Sequence, residues 1–238
     1  MSKIIALFVG FLAFSMSSVY AQSAEEQGTV VDETTLDDST ASADEILETI
    51  PSQATWVLVE GMIDNGLVHY IDRAIAQAED RGDDVIVFEL DTFGGLVDAA
   101  DKIRQSILDA EIRTIAFINK NAASAGALIS YACDEIVMAE GASIGAATVV
   151  EGQSGEKASE KMQSYFRGLM RSTAEANGRD PRIAEAMVDE SIEVEGIIEA
   201  GKLLTLSASE ALEFGVADDV VDNKTAMLAK LSIEEEAI

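Results

Sequence analysis

The feature that most constrains this chain is the alternation of short apolar runs with helix-spaced apolar residues. The apolar runs cover positions 56–59, 85–90, 114–118 and 135–139. Between them, apolar residues recur at helical spacing over positions 68–78, 97–107 and 125–131. Unbroken apolar runs are typical of strands buried on both faces, and strands that alternate with helices form βαβ units. The pattern therefore predicts an α/β domain with a mostly parallel sheet.

The second half of the chain is less regular. Positions 148–160 are polar and predict a mobile loop, of the kind that often covers an active site. A helix is predicted over positions 161–177, with an apolar face made of Met162, Tyr165, Phe166, Leu169, Thr173 and Ala176. Pro181 predicts the start of another helix, and positions 197–206 predict paired strands around Gly201. Ser207 with Glu210 predicts a capping box.

The amino terminus resembles an export signal. Lys3 precedes an apolar run over positions 4–14, and Ala21 ends a segment typical of signal peptidase sites. We therefore predict a signal peptide over positions 1–21, although a short membrane anchor is the competing interpretation. Positions 22–53 contain nine acidic residues and no lysine or arginine, which predicts a disordered acidic linker. The predicted folded domain covers positions 54–223, and an acidic tail covers positions 224–238.

The charge and the cysteine content exclude several classes of function. The formal net charge is −28, and so acidic a surface repels phosphate and makes nucleic acid an improbable partner. Either a high-salt environment or ordinary acidity accounts for this charge. The single cysteine, Cys133, excludes an intrachain disulfide and is expected to be a small core residue. One histidine and one cysteine do not make a zinc site, and no phosphate-binding loop motif is present, so we predict no metal and no cofactor.

Two segments could carry chemistry. Small residues surround Ser124 at positions 121–127, where a strand ends and a helix begins. Unpaired N–H groups at such a helix start suit the oxyanion of an acyl intermediate. Gly94 and Gly95 follow another strand, so the N–H groups of Gly95 and Ala125 could form an oxyanion hole. Taken alone, each segment is also explained structurally, as a capping serine and as a tight turn.

A serine nucleophile needs a base. Nothing in the sequence brings His69, the only histidine, near Ser124, so a Ser-His-Asp triad is poorly supported. A neutral lysine could serve instead. Lys161 is the best candidate because it begins a predicted helix just after the loop, and Lys157 is the second choice. Lys120 is expected to face away, and any of the three could simply be a solvated surface charge.

Taken together, these segments resemble the serine-protease domain of the NfeD family, within the ClpP/crotonase-like group that includes signal peptide peptidase A. The resemblance rests on positions 87–95 (VFELDTFGG), 122–126 (AASAG), 142–146 (ASIGA), 161–166 (KMQSYF) and 204–218, in that order. It implies a ClpP/crotonase-like fold of repeated ββα and βαβ units. It also implies a Ser124–Lys161 dyad, with Gly95 and Ala125 as backbone oxyanion donors.

The resemblance also implies a biological setting. We expect an exported, periplasmic or extracytoplasmic and membrane-associated serine endopeptidase that cleaves hydrophobic polypeptide segments. Stomatin-like or flotillin-like membrane proteins are the expected partners, and a homodimer or larger homo-oligomer is the expected assembly. The chain departs from the family at Phe93, where the family turn has proline. Loss of that proline could loosen the oxyanion turn.

Two alternatives remain at the level of sequence. A crotonase-like enzyme acting on an acyl thioester would share the two-amide oxyanion hole without needing a Ser–Lys pair. A catalytically silent scaffold would bind a membrane partner and would be indifferent to the loss of Ser124.

Overall fold

Strands and helices alternate along the chain as the sequence pattern predicts. The computed structural model describes residues 53–152 and 155–233. The strands are β1 (Ala54–Ile63), β2 (Val85–Gly95), β3 (Arg113–Ala123), β4 (Glu135–Ala139), β5 (Ser143–Gly145), β6 (Val150–Glu151), β7 (Glu156–Lys157), β8 (Thr205–Ser207) and β9 (Asp219–Val221). The helices are α1 (Asn65–Arg81), α2 (Val97–Leu108), α3 (Ala125–Ala132), α4 (Glu160–Ala176), α5 (Pro181–Ala186), α6 (Ala208–Glu213) and α7 (Lys224–Lys230).

The main sheet is parallel along its whole path, in the order β1-β2-β3-β4-β9. β3 is longer than β4, so its first part pairs with β4 and its last three residues pair with β5. The short strand β8 adds to β5 in the antiparallel direction. The predicted α/β fold with a mostly parallel sheet is confirmed.

The first three strands extend beyond their apolar runs. The sequence predicts that they end near positions 59, 90 and 118, but they continue to Ile63, Gly95 and Ala123. The reason is main-chain pairing, because Ile63 lies opposite Gly95 and Ala123 lies opposite Gly145. Polar or small residues interrupt the apolar pattern in these extensions, which is why the pattern does not reveal them. They carry the candidate site to the carboxyl edge of the sheet.

The two faces of the sheet have separate cores. One face packs against the amphipathic helices and contains Ile86, Phe88 and Leu90 of β2. The opposite face is smaller, and there Met227 and Leu228 of α7 cover alternate residues of β2 and β3. Positions 224–233, which we assigned to the acidic tail, thus include a helix that packs on the sheet.

A buried carboxylate joins α7 to that second face. Glu89 of β2 accepts hydrogen bonds from Trp56 Nε1 at 2.6 Å and from Asn119 Nδ2 at 2.8 Å. Lys224, the first residue of α7, pairs with the same carboxylate at 2.8 Å, and its Nζ lies 4.8 Å from the centre of the Trp56 ring. Because Glu89 is almost fully buried, these donors replace the water that it would otherwise bind.

Helix ends agree well with the sequence. The predicted capping box at Ser207 and Glu210 is present, and Pro181 opens α5. Asp64 caps α1 by accepting from the N–H groups of Gly66 and Leu67, and Gly82 ends that helix in the left-handed conformation with φ 71°.

Three predictions for the second half of the chain differ from the structure. The predicted mobile loop contains a two-stranded hairpin, β6–β7. The strands predicted over positions 197–206 are wrong, because Ile198 forms only an isolated bridge with Val194 and pairing begins at β8. The predicted apolar face of α4 is correct at Phe166 and Thr173, but Met162, Tyr165 and Ala176 are exposed while Gln163 is buried. Tertiary contacts of Gln163, described below, rotate the buried face.

The predicted signal peptide over positions 1–21 and nearly all of the predicted acidic linker lie outside the described residues. Within residues 53–152 and 155–233, no helix has the length and apolar character that a membrane span requires.

Candidate active site

Ser124 occupies a strained backbone position between β3 and α3. Its φ is 55° and its ψ is −118°, and a positive φ is unusual for a residue other than glycine. Its N–H donates to the carbonyl oxygen of Gly145 at 2.9 Å, and its own carbonyl accepts from Ala127 at 3.0 Å. Strain of this kind is maintained only where the surrounding structure fixes it, and it is concentrated at functional sites. The side chain does not cap α3, so the capping explanation considered for Ser124 does not apply.

The helix that follows Ser124 is buried along its whole length, from Ala125 to Ala132. The residues that follow α4 hold its carboxyl end, because Asn177 donates to the carbonyl oxygens of Tyr131 and Cys133. Arg179, itself buried, also donates to Cys133 and pairs with Asp218 at 2.7 Å. A buried helix end needs such partners. They fix α3 and, through it, the turn that carries Ser124.

The glycine pair at the end of β2 is required by close packing on both sides. A Cβ atom on Gly94 would lie 2.7 Å from the Cβ of Ser124, and its φ of 105° also favours glycine. A Cβ atom on Gly95 would lie 2.1 Å from the carbonyl oxygen of Ile63. The sequence predicts a turn at this pair, but both glycines belong to β2.

The geometry leaves two N–H groups close to Ser124. Leu96 N–H donates to Ile63 on β1 at 2.8 Å, and neighbouring residues of a parallel strand direct their N–H groups to opposite edges. The Gly95 N–H therefore points away from β1, toward the edge where Ser124 lies. Ala125 is the first residue of α3, so its N–H has no partner within the helix. Gly95, Ser124 and Ala125 line one common cavity.

Thr92 stabilises the end of β2 on both sides of Phe93. Its hydroxyl donates to the carbonyl oxygen of Gly61 at 2.5 Å and accepts from the N–H of Gly94 at 3.0 Å. The side chain is fully buried. These two bonds flank Phe93 and fix the backbone that a proline ring would otherwise restrict.

Two cavities meet at Ser124. The smaller has a volume of about 140 Å³ and is lined by Gly95, Leu96, Val97, Ser124, Ala125, Thr148, Val149, Val150 and Phe166. The larger has a volume of about 700 Å³ and is lined by Gly61, Met62, Phe93, Gly94, Gly95, Leu96, Ser124, Val150 and Gly152. Apart from Ser124 and Thr148, the lining side chains are apolar or absent, so the site suits an apolar polypeptide.

Lys161 lies in the first turn of α4, with its side chain exposed. It is not among the described residues that line either cavity. Two contacts join α4 to α2: Tyr165 donates to Asp101 at 2.7 Å, and Arg104 donates to Ser172 at 3.3 Å.

The other candidate bases have different surroundings. Lys120 pairs with Asp91 at 2.9 Å, and this hydrogen bond lowers the pKa of Asp91 and raises the pKa of Lys120. A raised pKa opposes the neutral form that a base requires. Lys157 pairs with Glu190 at 3.3 Å on the surface. His69 is exposed on α1, in a groove lined by α1 and α2 residues that does not include Ser124.

A buried glutamine links α4 to the cavity wall. Gln163 donates to the carbonyl oxygen of Val149 at 2.6 Å and accepts from the N–H of the same residue at 3.2 Å. Only 2% of Gln163 is exposed, and Val149 lines the smaller cavity. The sequence analysis missed this residue, because a polar side chain two positions after Lys161 is indistinguishable from a solvated one.

The parallel sheet, the glycine pair and the strained serine at the start of a buried helix define a protein of the ClpP-like fold. ClpP1 from Listeria monocytogenes has the same fold with a TM-score of 0.54 at 20% identity, over 71% of this chain and 92% of that one. The model of the NfeD1b N-terminal domain family matches residues 53–238. The chain belongs to this family, and the predicted NfeD resemblance is confirmed.

Two curated relatives are named as membrane proteins. The membrane protein NfeD1b of Bacillus subtilis is 38% identical over 188 residues, which cover 78% of this chain and 43% of the relative. The membrane-bound protease PH1510 of Pyrococcus horikoshii is 34% identical over 179 residues, which cover 72% of this chain and 38% of the relative. The chain therefore matches less than half the length of either relative.

Solved structures of a protease are also similar. A lysine-to-alanine mutant of the 1510-N membrane-bound stomatin-specific protease, in complex with a substrate peptide, has a TM-score of 0.66 at 30% identity, over 76% of this chain and 80% of that one. A serine-to-alanine mutant of the same protease has a TM-score of 0.65 at 29% identity, over 79% of this chain and 91% of that one.

Proposed function

We propose that this chain is a serine endopeptidase that uses Ser124 as nucleophile and Lys161 as general base. The observation that carries the proposal is the backbone of Ser124, which is strained and located at the start of a buried helix, beside the N–H groups of Gly95 and Ala125. Capping does not account for this conformation. Further support comes from one relative, PH1510, which is named a protease, and from the solved mutants of the similar 1510-N protease, in which one lysine or one serine is replaced by alanine.

The proposed chemistry begins with a neutral Lys161. Its Nζ accepts the Ser124 hydroxyl proton while the serine oxygen attacks a peptide carbonyl carbon. The Gly95 and Ala125 N–H groups donate to the resulting oxyanion. When the intermediate collapses, the lysine ammonium gives its proton to the leaving amine. Water then attacks the serine ester while Lys161 accepts its proton, and on collapse of this second intermediate the lysine ammonium returns the proton to the Ser124 oxygen as the acid product leaves.

This chemistry requires Lys161 to enter the cavity, because its side chain is exposed in the structure. Entry would remove the amine from water, and desolvation favours the neutral form of a lysine. Val150, the first residue of β6, lines both cavities. We propose that an apolar peptide bound against Val150 draws the hairpin and the first turn of α4 inward.

The proposed substrates are hydrophobic segments of stomatin-like or flotillin-like membrane proteins. Apolar cavity walls beside Ser124 support an apolar substrate, and the stomatin-specific protease among the relatives supports this partner class. We further propose that the chain acts outside the cytoplasm at a membrane, as a homodimer or larger assembly.

Labelling of the purified full chain with a fluorophosphonate between pH 6 and pH 10 tests the dyad. We expect an adduct on Ser124, located by peptide mapping, that is absent in Ser124→Ala and at least about 100-fold slower in Lys161→Ala. Lys157→Ala is the matched control, since it removes a lysine only four positions away and should label normally. Labelling that survives Lys161→Ala, or peptide cleavage that survives Ser124→Ala, contradicts the proposal.

A catalytically silent scaffold is the second candidate, and the exposure of Lys161 outside both cavities favours it. A scaffold would show no adduct at any pH, and its capture of a stomatin-like partner would be unchanged by Ser124→Ala.

A further inference from the structure

An aromatic side chain stands exposed next to the nucleophile. Phe93 is 80% exposed, although it belongs to β2 and lies between two buried residues, Thr92 and Gly94. Gly94 packs directly against Ser124. A large apolar side chain that remains in water at such a point has no structural role in the core.

Phe93 belongs to a group of exposed apolar side chains. Met62 on β1 is 69% exposed, Leu96 is 48% exposed and Val150 is 49% exposed. All of them line the larger cavity, and none of the described lining residues carries a charge. A contiguous exposed apolar patch of this kind marks a binding site.

The backbone prevents Phe93 from folding away. Thr92 fixes the main chain on both sides of it through Gly61 and Gly94. Met62, which lies opposite Gly94 in the β1–β2 ladder, lines the same cavity as Phe93. Phe93 and Met62 are thus both on the cavity wall, and Val150 of the β6–β7 hairpin lies on the cavity as well.

We propose that Phe93 is a specificity-determining residue that, with Met62, binds a large apolar side chain of the polypeptide substrate next to the bond presented to Ser124. This inference rests on the proposed function, because it assigns substrate recognition to residues of the same site. The smaller cavity, at about 140 Å³, also borders Ser124.

Binding to the full chain carrying Ser124→Ala tests this without requiring catalysis. The probes are two fluorescein-labelled decapeptides, one with four central leucines and one with alanines at those positions, followed by anisotropy. We expect Phe93→Ser to weaken binding of the leucine peptide about 10-fold or more and that of the alanine peptide less than about 2-fold. Phe93→Leu should restore most of the affinity, because it restores an apolar wall.

Leu212→Ser is the matched control, since Leu212 is also an exposed apolar residue, 44% exposed, but lies on α6 and does not line the cavity. It should leave both affinities unchanged. Equal losses for the two peptides, no loss in Phe93→Ser, or no measurable binding of the leucine peptide would each overturn the inference. Selective binding with no fluorophosphonate adduct on Ser124 would instead defeat the proposed dyad and leave the role of Phe93 intact.

Discussion

At the scale of single residues, the conformation of Ser124 separates a functional serine from a capping one. A capping serine has an extended backbone and accepts a hydrogen bond from its helix, as Ser207 does here. Ser124 does neither. The sequence cannot distinguish the two cases, because both place a serine among small residues where a strand meets a helix.

Relief of this strain is a measurable consequence. We expect the free energy of unfolding of Ser124→Gly to be about 1 kcal/mol higher than that of Ser124→Ala, because glycine adopts a positive φ without steric cost. Urea titrations of the two variants measure the difference. Ser130 in the interior of α3 is the control, since there Ser130→Gly should be about 1 kcal/mol less stable than Ser130→Ala. A Ser124→Gly protein no more stable than Ser124→Ala would show that the position is unstrained.

Burial determines the chemical reactivity of Cys133. It is fully buried, as expected for a core cysteine, and burial raises the pKa of its thiol. The thiolate is the reactive form, so this cysteine is protected from oxidation and alkylation in the folded protein.

At the scale of elements, Gln163 couples α4 to the wall of the smaller cavity beside Ser124. Its two hydrogen bonds to Val149 connect the turn that carries Lys161 to the segment that leads into β6. The Val149 carbonyl has a second donor, the N–H of Ala158, but no other partner is found for the Val149 N–H among the described residues. Loss of the glutamine therefore leaves a buried N–H unsatisfied.

We expect Gln163→Met, which preserves the shape of the side chain, to lower the free energy of unfolding by about 1–3 kcal/mol. If the proposed dyad is correct, it should also slow fluorophosphonate labelling of Ser124, because the first turn of α4 loses its attachment. Chemical denaturation and labelling rates measure the two effects. Gln105→Met makes the same chemical change at an exposed position of α2 and should shift stability by less than about 0.5 kcal/mol. Equal effects at the two positions would contradict this role.

The elements also show how far the sequence predicts the fold. Apolar runs identify β2, β3 and β4 because both faces of these strands are buried, and helical spacing identifies α1 and α2. The extension of β2 into Gly95 is not predictable, because it depends on pairing with β1 rather than on burial. The buried face of α4 is likewise fixed by a polar contact of Gln163, which apolar periodicity cannot detect. The fold class is thus predictable from local pattern, whereas the setting of Lys161 depends on long-range contacts.

At the scale of the whole molecule, charge is the dominant feature. The chain has 44 acidic and 16 basic residues, and its formal net charge is −28. Exposed ion pairs such as Lys202 with Glu199 are weakened by salt, but salt also screens the mutual repulsion of the excess negative charges. Because the excess negative charge is large, we expect added salt to stabilise the folded protein.

We expect the urea midpoint to rise when NaCl is increased from about 0.1 M to about 1 M, which shortens the Debye length from roughly 10 Å to roughly 3 Å. Denaturation followed by circular dichroism at the two salt concentrations measures the shift. The gain should disappear near pH 4.1, the sequence pI, where the net charge vanishes. A midpoint that stays constant or falls at neutral pH would exclude self-repulsion as a destabilising force and with it the high-salt interpretation.

The packing of Gly94 and Gly95 has a consequence for the evolution of this family. Both glycines are required by steric contacts, with Ser124 on one side and the main chain of Ile63 on the other, whether or not the protein cleaves a substrate. A descendant that lost its nucleophile or its lysine would still be selected to keep the pair, since replacing it would disrupt the sheet. Retention of the glycine motif in a genome is therefore a marker of ancestry and architecture, whereas the proposed dyad of Ser124 and Lys161 is what would report whether activity has been kept.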